Sequence, residues 1–253
     1  MLKIDLTGKK AFLTGGSRGV GKAICLALAE CGADVAFTYL SRDEAANGVV
    51  KEIEALGRKA YCYKCDVGNF DQMKETLDNI KEKFGKLDII VNNAGGSKVV
   101  EIDELTPEYL DTVLKSNLYG SFYSIMAGGL DLLKEAGGGS IINIGSSAMY
   151  SGMGGGPQYS ASKAGLLGLT RYMAVQYGPG NIRCNTLAIS LIKTEMLNKF
   201  DDEMLKKKIA TVPVGRLGEP EDVAYMTAFL SSEMASYISG EVILMDGART
   251  YAK

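Results

Sequence analysis

Histidine and tryptophan are missing altogether from this chain of 253 residues, and proline occurs only 5 times. Without histidine no Ser-His or Cys-His nucleophile system can be assembled, and the commonest metal ligand is gone. Against 5 prolines stand 31 glycines, so the glycines belong at special backbone positions of a folded chain, not in a disordered Pro/Gly tract. Cysteine is scarce too, at Cys25, Cys31, Cys62, Cys65 and Cys184. An odd number scattered through apolar stretches argues against a disulfide framework and suits a reducing compartment. Cys62 and Cys65 form a C-x-x-C, but Tyr61-Cys62-Tyr63-Lys64-Cys65 reads as a strand, where an odd spacing sends the thiols to opposite faces. With no second cysteine pair, no metal is expected. No run approaches 18 apolar residues, and residues 1–10 lack the apolar centre of a secretory signal. The expectation is a cytoplasmic protein, neither exported nor membrane-spanning. The 28 basic and 30 acidic residues leave a net charge of −2, with no basic footprint for nucleic acid.

What is present is ordinary for a globular protein, 46% hydrophobic and 23% charged, but it follows a rhythm. Val- and Ile-rich runs at residues 11–14, 34–39, 59–65, 88–92, 140–144, 182–187 and 241–245 show little in/out alternation. Parallel strands buried on both faces look like this. Helical stretches lie between them, among them 22–29, 44–56, 71–84, 106–134 and 166–177. Thr106-Pro107-Glu108 marks one helix start, with a capping hydroxyl, a proline in the first turn and an acid beside it. The pattern predicts an α/β fold: one domain over residues 1–253, a doubly wound sheet of about seven parallel strands, and helices on both faces. Ligands bind such sheets at the carboxyl ends of the strands.

Three motifs fall at those ends. The first strand runs into Thr14-Gly15-Gly16-Ser17-Arg18-Gly19-Val20-Gly21, where glycines let backbone N–H groups approach a pyrophosphate and a helix start favours its charge. A turn of this kind also serves as a simple tight connection. Asn92-Asn93-Ala94-Gly95 closes the fourth strand. It is either a strand stop or a pair of amides pinning the strand ends so that the Ala94-Gly95 backbone passes close to a ligand. Tyr159-Ser160-Ala161-Ser162-Lys163 puts a phenol and an ammonium at i and i+4 on one helix face. Ser146 and Ser147 lie just after the fifth apolar run. A ketone reduction needs a proton donor at the nascent alkoxide, and the reverse reaction a base near neutral pH. Free tyrosine titrates near 10, so its phenolate needs about 4 kcal/mol of help, which one ammonium about 4 Å away supplies at an effective dielectric of about 20. Ser146 would hydrogen-bond the substrate oxygen where charge develops.

Together these motifs resemble the short-chain dehydrogenases/reductases, with their Rossmann-type sheet, and the resemblance covers nearly the whole chain. It runs from Leu6-Thr7-Gly8-Lys9 through Cys65-Asp66-Val67 to Pro213-Val214-Gly215-Arg216-Leu217-Gly218-Glu219-Pro220 and Met245-Asp246-Gly247. The resemblance implies a catalytic set of Asn117, Ser146, Tyr159 and Lys163. Tyr159 is the acid/base, Lys163 also holds the nicotinamide ribose, and Asn117 holds a water that relays protons to Lys163. It further implies cofactor contacts at Gly15, Ser17, Arg18, Gly19, Val20, Gly21, Tyr39, Ser41, Arg42, Asp66, Val67, Asn93, Ala94, Gly95, Ile192 and Thr194. Substrate contacts are expected at Ser146, Ala148, Tyr150, Tyr159, Ser190 and Met196, in an apolar pocket with Met149, Met153, Leu191 and Leu197 nearby. The chain departs from the family where Asn185-Thr186-Leu187-Ala188-Ile189-Ser190 replaces the usual Asn-x-x-x-Pro-Gly.

NAD-preferring members of the family carry an acid at the end of the second strand, which repels a 2′-phosphate. Here that position is Tyr39, followed by Ser41 and Arg42, with Arg18 on the same side of the cleft. NADP(H) is therefore expected over NAD(H). The leading reading is hydride transfer between NADP(H) and a carbonyl or secondary alcohol of a small, apolar substrate. The alternatives are a 3-oxoacyl-[acyl-carrier-protein] reductase and an inactive dinucleotide-binding regulator. Enoyl-thioester reductases place six residues between the Tyr and the Lys, and the residue seven before Lys163 is Gly156. A homotetramer is expected, paired through helices at 106–134 and 166–177 that carry Tyr119, Phe122, Tyr123, Tyr172 and Met173.

Overall fold

The computed structural model describes residues 3–195 and 201–252. Among them, seven strands form one sheet: β1 (Lys10–Leu13), β2 (Asp34–Tyr39), β3 (Ala60–Lys64), β4 (Ile89–Asn92), β5 (Gly139–Ser146), β6 (Ile182–Ile189) and β7 (Val242–Met245). Every pairing is parallel and the order is β3-β2-β1-β4-β5-β6-β7. The strand order reverses between β1 and β4, and in an open α/β sheet the crevice beyond that reversal is where ligands bind.

The lack of alternation in the strand sequences has a direct cause, because alternate residues of the central strands enter two separate cores. Ala11, Leu13, Val35 and Phe37 pack on one face with Ile24 and Leu28 of α1 (Gly19–Glu30), Val49 and Ile53 of α2 (Asp43–Ala55), and Val223 of α10 (Pro220–Ser231). Phe12 and Ala36 pack on the other with Met73, Leu77 and Ile80 of α3 (Phe70–Phe84), and with Leu169 and Met173 of α8 (Pro157–Tyr177). Cys62 contacts the first core and Cys65 lies in the second, as their odd spacing requires.

Helix boundaries differ from the sequence reading in ways that matter for the crevice. α1 begins at Gly19 and not at Lys22, so Gly19, Val20 and Gly21 form its first turn. α8 begins at Pro157, nine residues before the expected start at 166, and so includes Tyr159. The stretch 106–134 is not one helix. It is α4 (Pro107–Leu114), a π-helical turn (Lys115–Tyr119), α5 (Gly120–Ser124), a second π turn (Ile125–Gly129) and α6 (Leu130–Glu135). Gly128, at φ 133°, breaks the second, and widened turns of this kind recur at functional sites. Thr106 caps α4 as its sequence predicts, its Oγ1 accepting from Tyr109 N at 3.2 Å. α7 (Ala148–Ser151) and α9 (Asp202–Ala210) complete the α-helices among the described residues.

Candidate active site

The carboxyl ends of β1 and β4 are stitched together. Thr14 Oγ1 accepts from the backbone N–H groups of Asn93 and Ala94, both at 3.0 Å. Asn93 Nδ2 donates back to the carbonyls of Thr14 and Gly15, both at 3.0 Å. Asn92 reaches the other way, donating to Asn143 Oδ1 at 2.9 Å and accepting from Ser124 at 2.6 Å. The paired amides thus do more than stop a strand, since they lock the two loops that flank the crevice.

The glycine turn follows. A Cβ at Gly21 would stand 2.0 Å from the Gly15 carbonyl oxygen, so only glycine lets α1 start this close to β1. Arg18, the N-cap of α1, has an extended backbone and makes no side-chain capping bond. The amides of the first turn are therefore left without a capping side chain, and they fit the diphosphate of a dinucleotide. Thr194 leans across this turn, its Cγ2 lying 3.4 Å from where a Gly19 Cβ would be. Ile192 is buried and bridges to Gly218. Ser17 lies in the same bend between β1 and α1, and Gly95, at φ 150°, follows Ala94 and lies against Asn117.

At the far side of β2, Tyr39 is the last strand residue and Ser41 and Arg42 follow. Arg42 adopts a left-handed backbone at φ 70°. Its Nη1 donates to Glu195 Oε2 at 2.7 Å, and Arg18 Nη1 donates to the same oxygen at 3.3 Å. Two acids here escaped the sequence reading, Glu195 and Asp43. The Asp43 carboxylate lies 3.5 Å from Lys64 Nζ, and burial first, then Asp43, raises the Tyr39 phenol above its usual range. Asp66 is exposed just beyond β3, its Oδ1 accepting from Gly68 N at 2.9 Å, while Val67 is buried.

The four residues expected to carry chemistry converge at the ends of β4 and β5. Ser146 is the last residue of β5 and is buried. Its Oγ accepts from Ala148 N at 3.2 Å. A Cβ at Gly155 (φ 79°) would meet the Tyr159 ring at 2.5 Å, so the glycines before α8 let the backbone lie flat against that ring. Lys163 is buried, and its Nζ donates to the Ile144 carbonyl at 2.7 Å. Asn117 sits in the first π turn, buried, with Oδ1 accepting from Gly96 N at 2.8 Å. Its Nδ2 donates to Ser162 Oγ at 3.1 Å, and Ser162 Oγ donates to the Tyr159 carbonyl at 2.7 Å. Ser162 was not foreseen. Its only sequence signal is that it lies three residues after Tyr159, where a serine reaches back along its own helix.

The electrostatics differ from the simple phenol–ammonium picture. Burial raises Tyr159 above its ordinary range, with the Ser146 hydroxyl opposing, and burial lowers Lys163 to about 8. Lys163 Nζ is 5.9 Å from the Tyr159 ring centre and is turned to the Ile144 carbonyl. Among the expected substrate contacts, Ala148 and Tyr150 stand on α7, Ala148 buried and Tyr150 exposed. Ser190 follows β6 and accepts from Arg249 Nη1 at 3.4 Å. Met196 and Leu197 lie outside the described residues.

Known proteins resemble this chain over nearly its whole length. The family profile described as Enoyl-(Acyl carrier protein) reductase matches residues 15–249. The L-rhamnose 1-dehydrogenase (NAD(P)(+)) of a Sphingomonas species is 36% identical over 96% of this chain and 96% of its own length. The chain is a short-chain dehydrogenase/reductase. As a member of this family it is an oxidoreductase that works on CH–OH groups with a nicotinamide dinucleotide. The 3-oxoacyl-[acyl-carrier-protein] reductase FabG of Thermotoga maritima is also 36% identical, over 96% of this chain and 98% of its own. A solved 7α-hydroxysteroid dehydrogenase, complexed with NADH and 7-oxo glycochenodeoxycholic acid, superposes with a TM-score of 0.91. It is 33% identical, over 97% of this chain and 95% of that one.

Proposed function

We propose that this short-chain dehydrogenase/reductase transfers a hydride between NADP(H) and a carbonyl or secondary alcohol of a small, apolar substrate. The observation that carries the reading is the meeting of Ser146, Tyr159 and Lys163 at the carboxyl end of β5: Ser146 ends that strand, Lys163 Nζ donates to its Ile144 carbonyl at 2.7 Å, and Tyr159 stands one turn before Lys163 on α8. When bound, the nicotinamide supplies or accepts the hydride. The remaining work belongs to this chain's side chains. Ser146 donates to the substrate oxygen, where negative charge grows. Tyr159 gives its hydroxyl proton to that oxygen in reduction and takes it back in oxidation. Lys163, titrating near 8, is poised to hold or release a proton close to neutral pH, and Asn117 anchors the chain of polar groups behind it.

The glycine turn with Ser17, Arg18, Gly19, Val20 and Gly21 would hold the diphosphate, and Asp66 and Val67 the adenine. Asn93, Ala94, Gly95, Ile192 and Thr194 would line the nicotinamide half. Support for NADP(H) over NAD(H) comes from Arg18 and Arg42, which converge on one anionic oxygen. The whole chain works as one domain, assembles as a homotetramer and acts in the cytoplasm. No described helix is long and apolar enough to cross a membrane. Tyr159 and Lys163 have three residues between them, which favours carbonyl over enoyl reduction.

A carrier-bound 3-oxoacyl thioester is the second reading, favoured by the likeness to FabG. The deciding experiment follows NADPH consumption with a panel of free ketones, oxosteroids, sugars and 3-oxoacyl thioesters. Turnover of a free ketone supports the first reading, turnover confined to thioesters the second. NADPH binding without consumption by any of them overturns both.

A further inference from the structure

Arg18 and Arg42 already hold an anion between them, and that anion is one of the chain's own side chains. Both guanidinium groups donate to Glu195 Oε2, at 3.3 and 2.7 Å. The three residues come from separate places: Arg18 from the turn before α1, Arg42 from the left-handed position before α2, and Glu195 from the segment after β6. Thr194 beside Gly19 shows the same segment lying across the glycine turn. Arg42 first, and then Arg18, hold the Glu195 carboxyl below its usual range, so it is ionised at neutral pH. The other acid nearby, Asp43, faces Lys64 and Tyr39.

We infer that Glu195 is a cofactor-specificity residue, whose carboxylate competes with the 2′-phosphate of NADP(H) for Arg18 and Arg42. The inference rests on the NADP(H) reading above. The end of β2 carries no acid, yet the fold brings one to the same place from the far end of β6. With NAD(H) in the crevice, Glu195 stays on both arginines and neutralises them. With NADP(H), the phosphate takes its place. All three side chains are about half exposed, and exposed ion pairs are weak. A phosphate, with more charge and a better match to two guanidinium forks, displaces a single shared carboxylate oxygen. The displaced pairs still subtract from the advantage, so the wild-type preference is smaller than two arginines alone would give.

The test is Glu195→Gln, which keeps the size and removes the charge. Dissociation constants are measured by calorimetry for 2′,5′-ADP, 5′-AMP, NADPH and NADH. In the variant, 2′,5′-ADP and NADPH should bind about three- to tenfold more tightly, the scale of two exposed ion pairs. The 5′-AMP and NADH values should move less than about twofold, and the gain should shrink when Arg42→Ala is added and vanish when Arg18→Ala joins it. Unchanged NADPH binding, or equal tightening of NADPH and NADH, overturns the role of Glu195 while leaving the NADP(H) reading intact. If wild type and variant both bind 2′,5′-ADP no better than 5′-AMP, the NADP(H) reading itself fails, and this inference with it.

Discussion

Lys163 turns its Nζ to the carbonyl oxygen of Ile144, 2.7 Å away, and so stands 5.9 Å from the centre of the Tyr159 ring. The ammonium is fastened to the end of β5, not to the phenol it is meant to assist. Burial makes Tyr159 keep its proton above the usual tyrosine range, in the state suited to donating it.

That arrangement sets the expected result of removing the phenol. Tyr159→Phe keeps the ring that packs against Gly155 and loses only the hydroxyl, so cofactor binding should be nearly unchanged. Turnover should fall at least about a hundredfold, the scale of general acid–base catalysis. Wild-type kcat in the variant would remove Tyr159 from the chemistry.

Burial of Lys163 makes a separate prediction about stability. In the fold it titrates near 8, against 10.5 for the ordinary side chain. Between those values the unfolded chain holds a proton that the folded chain has released, so stability rises with pH across that window. Below 8 the cost of burying the ammonium is fully present, and above about 10.5 it is gone. At 1.36 kcal/mol per pH unit the window spans about 3 kcal/mol. Urea unfolding of cofactor-free wild type and Lys163→Met at pH 7.5 and 10.5 should show the wild type gaining on the variant by about that amount. A difference that stays constant with pH would mean that the lysine is not buried as a cation.

Cofactor preference tests the arginine pair directly. Arg18→Ala and Arg42→Ala should each cut the NADPH-over-NADH ratio of kcat/KM by about tenfold or more, the scale of a hydrogen bond to a charged group. Equal wild-type values for the two cofactors, untouched by either substitution, would refute the NADP(H) preference.

The proposed homotetramer makes its own prediction at the exposed helix faces. Tyr119, Phe122 and Met126 on the broken helix, and Tyr172 and Val175 on α8, stand 36–80% exposed, an apolar stripe that a symmetric partner would cover. Met173, expected on that stripe, is instead in the core, and Tyr123 packs edge-on against Phe70 at 5.3 Å. Light scattering should give four times the chain mass at micromolar concentration. Tyr172→Asp with Val175→Asp should lower it, and a wild-type monomer would exclude the assembly.

The parallel sheet, its seven strands and the turn after β1 were legible in the residues alone, because their causes are local. Strands buried on both faces need unbroken apolar runs, and a helix starting close beneath a strand needs glycine where Gly21 stands. The company of Ser146, Tyr159 and Lys163 was also legible, through spacing and strand ends. The fold alone decided what has no periodic signature. The π turn that carries Asn117 depends on how that helix packs, since the same residues read as continuous helix. The Ser162 bridge from Asn117 to Tyr159 depends on two helices meeting. Glu195 reaches Arg42 and Arg18 across 153 and 177 residues of sequence. Pairing between charges so far apart in the chain leaves no trace in local pattern, and it exists only once β6 carries its following segment back over the glycine turn.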